Sequence, residues 1–414
     1  MKQLTTLLLC ALLVCRAASA QNTKQSQDYL QQNHATWNNG FANAEKVFTK
    51  TILQNQLFLV GEGHGTQYNN ELQFDLIKHL QQTVGLKYIL LELGFLDQLY
   101  LNRYLHTGNE QVLDSFFQFH PNTFYYNKQL LQFFQKLYNY NLQLPAKSKL
   151  QIITVDLDFA YRDALLYIQR NLPAALPDTL KNPFTTMNPV KDTAALLIQK
   201  FNNAYSSFIK NDRIYKKHLG KDFEDIEHLL DNINQRLQIA VSKRNDLRDS
   251  VMYHNFLYAK KRYGIQDEKI IGLMGSFHVK QFDVPGDPRF AAILVKANAV
   301  KGVVSLMSIY NGGEAMIPNR NNKADSSGKT NAYINLKVSN GSLSGPVTHY
   351  DLMEPYFNSS KAVLFLLNKK ESPFHQSNAF TLGEDPETAT TTQLFQVLIL
   401  FNQSPAAIPY TKQE

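Results

Sequence analysis

The segment Leu57–Leu105, LFLVGEGHGTQYNNELQFDLIKHLQQTVGLKYILLELGFLDQLYLNRYL, decides the fold. Leu57–Val60 is an apolar run of strand length, too short for a helix. It ends in Gly61-Glu62-Gly63-His64-Gly65, where three glycines permit a sharp turn. Glu62 and His64 stand two apart, so extended backbone projects both to one side. Between Asn70 and Thr83, Leu72, Leu76, Ile77 and Leu80 recur at helical spacing, and Gly85 ends that helix. Tyr88–Leu91 is a second buried strand, with Glu92 at its C-terminal end. Such a strand–helix–strand unit predicts parallel strands joined by a right-handed crossover. Open parallel sheets bind ligands outside the carboxyl ends of their strands. Glu62, His64 and Glu92 all stand there.

The same pattern recurs further on. Leu150–Val155 runs into Asp156-Leu157-Asp158, and Lys269–Met274 runs into Gly275-Ser276-Phe277-His278. Ala291–Val295, Val303–Met307, Val363–Leu367 and Leu394–Phe401 add strand candidates. Residues 21–50 read as a helical segment around Trp37, the single tryptophan, and Gly312–Lys329 reads as a surface loop. The section from about 170 to 263 has no strand signal; Thr193–Ile209 and Phe223–Tyr263 read as an inserted helical hairpin, the second helix unusually long. The predicted fold class is α/β: residues 51–414 form a central, mainly parallel sheet flanked by helices, with that helical-hairpin insertion.

The chain of 414 residues, 44% hydrophobic and 12% aromatic, can fill a large core. Met1–Gln21 has the build of a signal peptide: Lys2, the apolar run Leu7–Val14, and Ala18-Ser19-Ala20 before Gln21. Cleavage there predicts a secreted or periplasmic protein. Both cysteines, Cys10 and Cys15, fall inside the segment, so the mature chain is expected to hold no cysteine nucleophile, disulfide or Cys-ligated metal. Losing Lys2 and Arg16 with it lowers the net charge from +7 to +5, too little and too scattered for nucleic acid binding. No later stretch has the length to span a bilayer.

Ionisable groups therefore end four apolar strands: Glu62 with His64, Glu92, Asp156 with Asp158, and His278. A neutral imidazole can take a proton from water while a carboxylate orients the ring and stabilises its cation. Glu62, His64, Glu92 and His278 could instead ligate a divalent metal. Singly, each such residue is more often a helix cap or an ion-pair partner; their coincidence on one rim points to a site. Asp158 alone keeps the structural role of starting the next helix. Arg244, Arg248, Met252 and Asn255 are spaced four, four and three apart on one predicted helix face, offering positive charge to a substrate carboxylate or a developing oxyanion. Phe116, Phe117, Phe124, Tyr125 and Tyr126 could line an apolar pocket.

With these residues in place, the chain resembles the erythromycin esterase-like group, within a superfamily that also holds the ChaN-like haem-binding uptake proteins and the Tiki proteases. The resemblance rests on GEGHGT, LLELGF and LNRYL in Gly61–Leu105, on ITVDLD at Ile153–Asp158, and on RDSVMYHNF at Arg248–Phe256 with GLMGSFHV at Gly272–Val279. One residue separates Glu62 from His64, the spacing of the ChaN-like branch. The resemblance implies hydrolysis of an ester or related bond, with His64 the base that activates water, Glu62, Glu92 and His278 completing the catalytic set and Arg248 near it; the helix stripe and strand end read above add Arg244, Asn255 and Asp156 as candidate contacts to a small-molecule substrate. The alternatives it implies are a carrier of haem or another small ligand, and a metal-dependent peptidase.

Overall fold

In a computed structural model, which describes residues 23–284, 286–320, 331–339 and 341–411, nine strands form one sheet in the order β2-β1-β10-β11-β7-β3-β6-β4-β5. They are β1 (His34–Trp37), β2 (Phe41–Ala42), β3 (Leu57–Glu62), β4 (Tyr88–Leu91), β5 (Gln151–Thr154), β6 (Ile270–Gly275), β7 (Val303–Asn311), β10 (Ala362–Leu366) and β11 (Val397–Asn402). β8 (Glu314–Pro318) and β9 (Tyr333–Lys337) form a separate antiparallel pair. From β11 through β7, β3, β6 and β4 to β5 all pairings are parallel; β10, β1 and β2 extend that sheet antiparallel. The proposed signal segment lies outside the described residues.

The central strands are apolar throughout because both faces are covered. Phe58, Val60, Ile89, Leu91, Ile271 and Leu273 point into one core, with α3 (Gln67–Val84), α4 (Phe95–Thr107), α5 (Glu110–Phe119) and α6 (Lys128–Gln143). Leu57, Leu59, Tyr88, Leu90 and Ile270 point into the other, against α1 (23–32), α12 (Arg248–Arg262), α13 (Phe290–Lys296) and α14 (Thr391–Leu394). The short α2 (Lys50–Leu53) leads into β3. Among the described residues no helix is long and apolar enough to cross a membrane.

Several expectations change. Residues 21–50 are not simply helical: α1 gives way to β1 and β2, and Trp37 is a buried strand residue paired with Ala362. Ala291–Val295 lies inside the helix α13, and part of the expected loop after Gly312 is β8. The inserted section is larger than a hairpin. It comprises α7 (Tyr161–Asn171), α8 (Asp178–Thr185), α9 (Ala194–Lys210), α10 (Asp212–Leu219) and α11 (Phe223–Ser242), around a core of its own that reaches Phe95 and Leu96. The long helix predicted over Phe223–Tyr263 breaks where Lys243 turns left-handed, with φ 57°, and resumes as α12.

A buried ion cluster fastens the segment between β6 and α13. Asp385 accepts hydrogen bonds from Lys280 Nζ at 2.6 Å and Arg289 Nη1 at 3.0 Å, and both cations are essentially inaccessible. Without Asp385, Lys280 would keep only the partly exposed Glu384 at 3.0 Å and Arg289 only Asp287 at 3.5 Å, and breaking such a buried pair costs about 3–5 kcal/mol. Asp385→Ala is therefore expected to lower unfolding stability by about that amount in a denaturant titration, whereas Glu384→Ala, at the exposed end of the cluster, should change it by less than about 1 kcal/mol.

Candidate active site

The strand order sets β3, β6, β4 and β5 side by side, so the residues after them share one rim. Behind β3, the glycine-rich turn is tied down from three directions. The Gly63 N–H donates to Tyr310 Oη at 2.9 Å, and Asn69 Nδ2 donates to the Gly63 carbonyl at 2.7 Å. Gly65, at φ +88°, accepts at its carbonyl from the Met316 and Ala407 N–H groups, each at 2.8 Å. A Cβ at Gly65 would collide with the Met316 carbonyl, so only glycine suits this position.

The turn delivers His64 with Nδ1 2.8 Å from Glu62 Oε1, while Glu62 Oε2 accepts from Gln73 Nε2 on α3 at 2.5 Å. A carboxylate oxygen can only accept, so Nδ1 carries a proton, and in the neutral ring Nε2 presents the lone pair. Among the described residues no protein group bonds to Nε2. The ring lies beneath Phe124 and Tyr125, at centroid distances of 5.3 and 6.1 Å. Gly275 keeps the adjoining space open: a Cβ there would sit 3.2 Å from His64 Nε2 and 3.4 Å from Glu92 Oε2. Beside them is a cavity of about 50 Å³ lined by Glu62, His64, Glu92, Phe124, Tyr125 and Phe133 among others. That is room for a few waters beside the imidazole.

On the other side of Glu92 the charges are locked together. Glu92 Oε2 accepts the Gly275 N–H at 2.6 Å, and Oε1 accepts from Arg248 Nη2 at 2.6 Å, with His278 Nε2 at 3.3 Å. The Arg248 guanidinium also grips Asp156, with Nε 2.8 Å from Oδ1 and Nη2 on Oδ2. His278 Nδ1 bonds Asp249 Oδ2 at 2.8 Å, and that oxygen also accepts the Phe290 N–H at 2.7 Å.

These surroundings separate the two histidines. Burial disfavours the His278 cation, but Glu92 and Asp249 outweigh it and raise its pKa to about 10. His278 is thus an imidazolium at neutral pH. Burial likewise opposes charge on His64, and its bond to Glu62 with the fields of Glu62 and Glu92 turns the balance, raising its pKa above 6.5. Burial disfavours the Glu92 carboxylate too, yet His278, Arg248 and His64 hold its pKa well below the ordinary glutamate range.

The structure brings together Glu62, His64, Glu92, Asp156, Arg248 and His278. Asn255 supports them from behind, donating from Nδ2 to the Val155 carbonyl at 2.8 Å. Arg244 is not among them: the helix break puts it outside, in an exposed ion pair with Asp246. Asp158 caps α4 by accepting the Leu96 N–H at 2.9 Å instead of starting α7, and burial pushes its carboxyl up to about 8. Two members escaped the sequence reading. Gln73 and Asp249 are polar side chains on otherwise inward-facing apolar helix positions, a signal that was present. Of the aromatic residues read as possible pocket lining, Phe124 and Tyr125 do border the cavity, and Tyr125 also donates to the Glu92 carbonyl at 2.8 Å. As a metal site the cluster does not fit. Its carboxylates are turned to Arg248, His278, Gln73 and the Gly275 N–H, and among the described residues no group of three or more His, Cys, Asp or Glu is placed to hold an ion.

No family model matches the sequence, and no curated protein matches it. Solved structures do. A Bacillus cereus protein aligns over 94% of this chain and 99% of its own, with TM-score 0.66 and 16% identity. A protein described as a succinoglycan biosynthesis protein aligns over 93% and 98%, with TM-score 0.66 and 13% identity. A His-to-Asn variant of the erythromycin esterase EreC, in its open conformation, aligns over 88% and 94%, with TM-score 0.59 and 14% identity. The chain has the erythromycin esterase fold.

The His278 imidazolium makes stability depend on pH in a definite direction. A pKa raised on folding stabilises fully below the unfolded value, about 6.5, and the contribution is lost as pH rises through about 10. Thermal midpoints are expected to fall steadily from pH 6.5 to 10, and His278→Gln should flatten that slope.

Proposed function

We propose that this protein is a hydrolase of the erythromycin esterase type that cleaves an ester or related bond in a small molecule with water activated by His64. One observation carries the reading: His64 is held through Nδ1 by a carboxylate that is itself held, leaving Nε2 free at a water-sized cavity. The shared fold supports it.

In this reading Nε2 takes a proton from water as the oxygen adds to the carbonyl carbon, and the resulting imidazolium returns that proton to the departing oxygen. Four carboxylates, Glu62, Glu92, Asp156 and Asp249, face two fixed cations, Arg248 and His278, so the cluster gains a compensating charge when His64 is protonated. Arg248 and His278 supply the positive field toward the developing oxyanion. Neither can act as the base, since both already hold their protons at neutral pH.

His64→Asn, which can hydrogen-bond to water but cannot take its proton, is expected to lower kcat/KM on aryl ester probes by about 10²–10⁴-fold. Wild-type kcat/KM should rise with pH through one ionisation above the ordinary histidine value of about 6.5. Glu62→Gln, by removing the charge that favours the cation, should move that limb to lower pH as well as slow turnover. Undiminished hydrolysis by His64→Asn would overturn the assignment.

We also propose export, with Met1–Ala20 as the leader. Expression of the full chain in a bacterial host should yield a periplasmic or secreted product whose intact mass begins at Gln21; a cytoplasmic product retaining Met1 would refute it.

A further inference from the structure

Beyond the catalytic cluster, Arg236 is a cation beside the same rim that has no ion-pair partner among the described residues. α11 lies across the loop that follows β5: Asn232 donates from Nδ2 to the Asp156 carbonyl at 3.1 Å and accepts the Asp158 N–H at 2.7 Å. Arg236, four residues on, shares that helix face. Its guanidinium lies over the Phe159 ring, 4.9 Å from the centroid, and the Arg248 guanidinium lies 5.3 Å from the same centroid. Phe159 is thus flanked by two guanidinium groups, yet half of it, 51%, is exposed. What sets this exposed ring apart is its position between two guanidinium groups, one of them the Arg248 of the cluster.

The two arginines differ in one respect. Arg248 is saturated by Glu92 and Asp156. Arg236 makes no ion pair among the described residues, and its Nε is buried without a hydrogen-bond partner. An unmet buried donor is costly. A guanidinium presents a planar fork of donors that matches a carboxylate or phosphate, and stacking on Phe159 fixes that plane while leaving the edge free.

We propose that Arg236 and Phe159 form the specificity subsite of this enzyme, and that its substrate is a small ester bearing an anionic group, carboxylate or phosphate, which Arg236 binds while the scissile bond lies toward His64. The inference rests on the hydrolase reading and adds the substrate's chemical class to it. It explains why Arg236 is left without an ion pair among the described residues while Arg248 and His278 each face carboxylates.

The test compares matched probes. Wild-type protein and the variants Arg236→Gln and Arg236→Lys are assayed on three carboxylic esters: p-nitrophenyl valerate, the hemiglutarate of p-nitrophenol, and p-nitrophenyl 4-phosphonobutanoate, whose phosphonate stands where the hemiglutarate has its carboxylate. The expected result is a kcat/KM for the hemiglutarate about 10–100-fold above the valerate, as a charge-assisted hydrogen bond is worth. Arg236→Gln should abolish that ratio through KM and leave valerate hydrolysis unchanged, and Arg236→Lys should restore part of it. A preference for the phosphonate over the hemiglutarate, also lost in Arg236→Gln, assigns the subsite to phosphate. Binding is measured separately, by calorimetry with the non-hydrolysable glutarate monoanilide and its neutral valeranilide counterpart. Loss of anilide affinity in Arg236→Gln with no ester turnover by wild type supports the anion subsite and refutes the hydrolase reading alone. Equal affinities and equal rates for charged and neutral probes, or variants indistinguishable from wild type, overturn the subsite.

Discussion

The C-terminal rim of this sheet depends on the placement of one guanidinium. Glu92 and Asp156 end neighbouring strands and are almost wholly buried, at 6% and 2% exposure. Two carboxylates so placed would resist ionisation unless a cation stood between them. Arg248 supplies it, from a helix nearly a hundred residues later in the chain. Seating Arg248 fixes the start of α12, and that places Asp249, the next residue, against His278 and the Phe290 N–H. A single charge requirement thereby fastens the inserted helices, the β6 loop and α13 to the same edge. Arg248 is for this reason a structural counter-ion as well as a source of field, and its loss would disturb folding along with function. Lys243, at the helix break, is exposed; Lys260, on the same helix as Arg248, is instead half-buried, with Nζ 2.6 Å from the Ala299 carbonyl.

The parts of the fold legible in the sequence are those with one physical solution. Runs such as Leu57–Val60 and Ile270–Met274, apolar on both faces and ending at glycine-rich turns that carry ionisable residues, read as central strands of a covered sheet. The errors fall where short-range pattern is degenerate. Ala291–Val295 is a run of apolar residues equally compatible with strand and buried helix; it becomes α13 because Phe290, Ala291 and Leu294 fit one helical face against the core. Phe223–Tyr263 kept its helical period across a polar stretch, Ser242–Asp246, that actually turns the chain. Lys243 takes up a left-handed conformation without glycine to announce it. The Arg244–Asn255 stripe depended on an unbroken helix, so its first member was lost with the break. β1 could not be read at all, because its pairing partner β10 lies more than three hundred residues away.

The C-terminal half has a role that its sequence did not declare. Tyr310 on β7, Met316 on β8 and Ala407 past β11 all converge on the Gly63–Gly65 turn. The turn has little side chain of its own with which to hold a shape, and three glycines leave it many alternatives. Rigidity is imported from strands that form late in the chain. Backbone bonds to Gly65 on both sides make the orientation of His64 a property of the whole sheet, which the local motif alone cannot supply.

Two imidazoles on one rim invite an assignment of base and acid by symmetry, but their environments forbid it. His278 faces carboxylates through both nitrogens, Glu92 at one and Asp249 at the other, so it holds both protons to about pH 10 and neither nitrogen has a lone pair to offer at neutral pH. His64 meets a carboxylate through one nitrogen only and is a quarter exposed, so its cation is favoured less strongly and its neutral form stays within reach. The difference comes from Gly275. A side chain at that position would fill the space beside Nε2 that Glu92 and His64 share. Its absence leaves one imidazole nitrogen facing solvent-sized space while its counterpart is enclosed by charge. Divergent environments around like groups are how one fold runs both halves of proton transfer. Here the same carboxylate, Glu92, serves both: through Oε1 it fixes the cationic pair Arg248 and His278, and through Oε2 it borders the space where His64 would receive its proton.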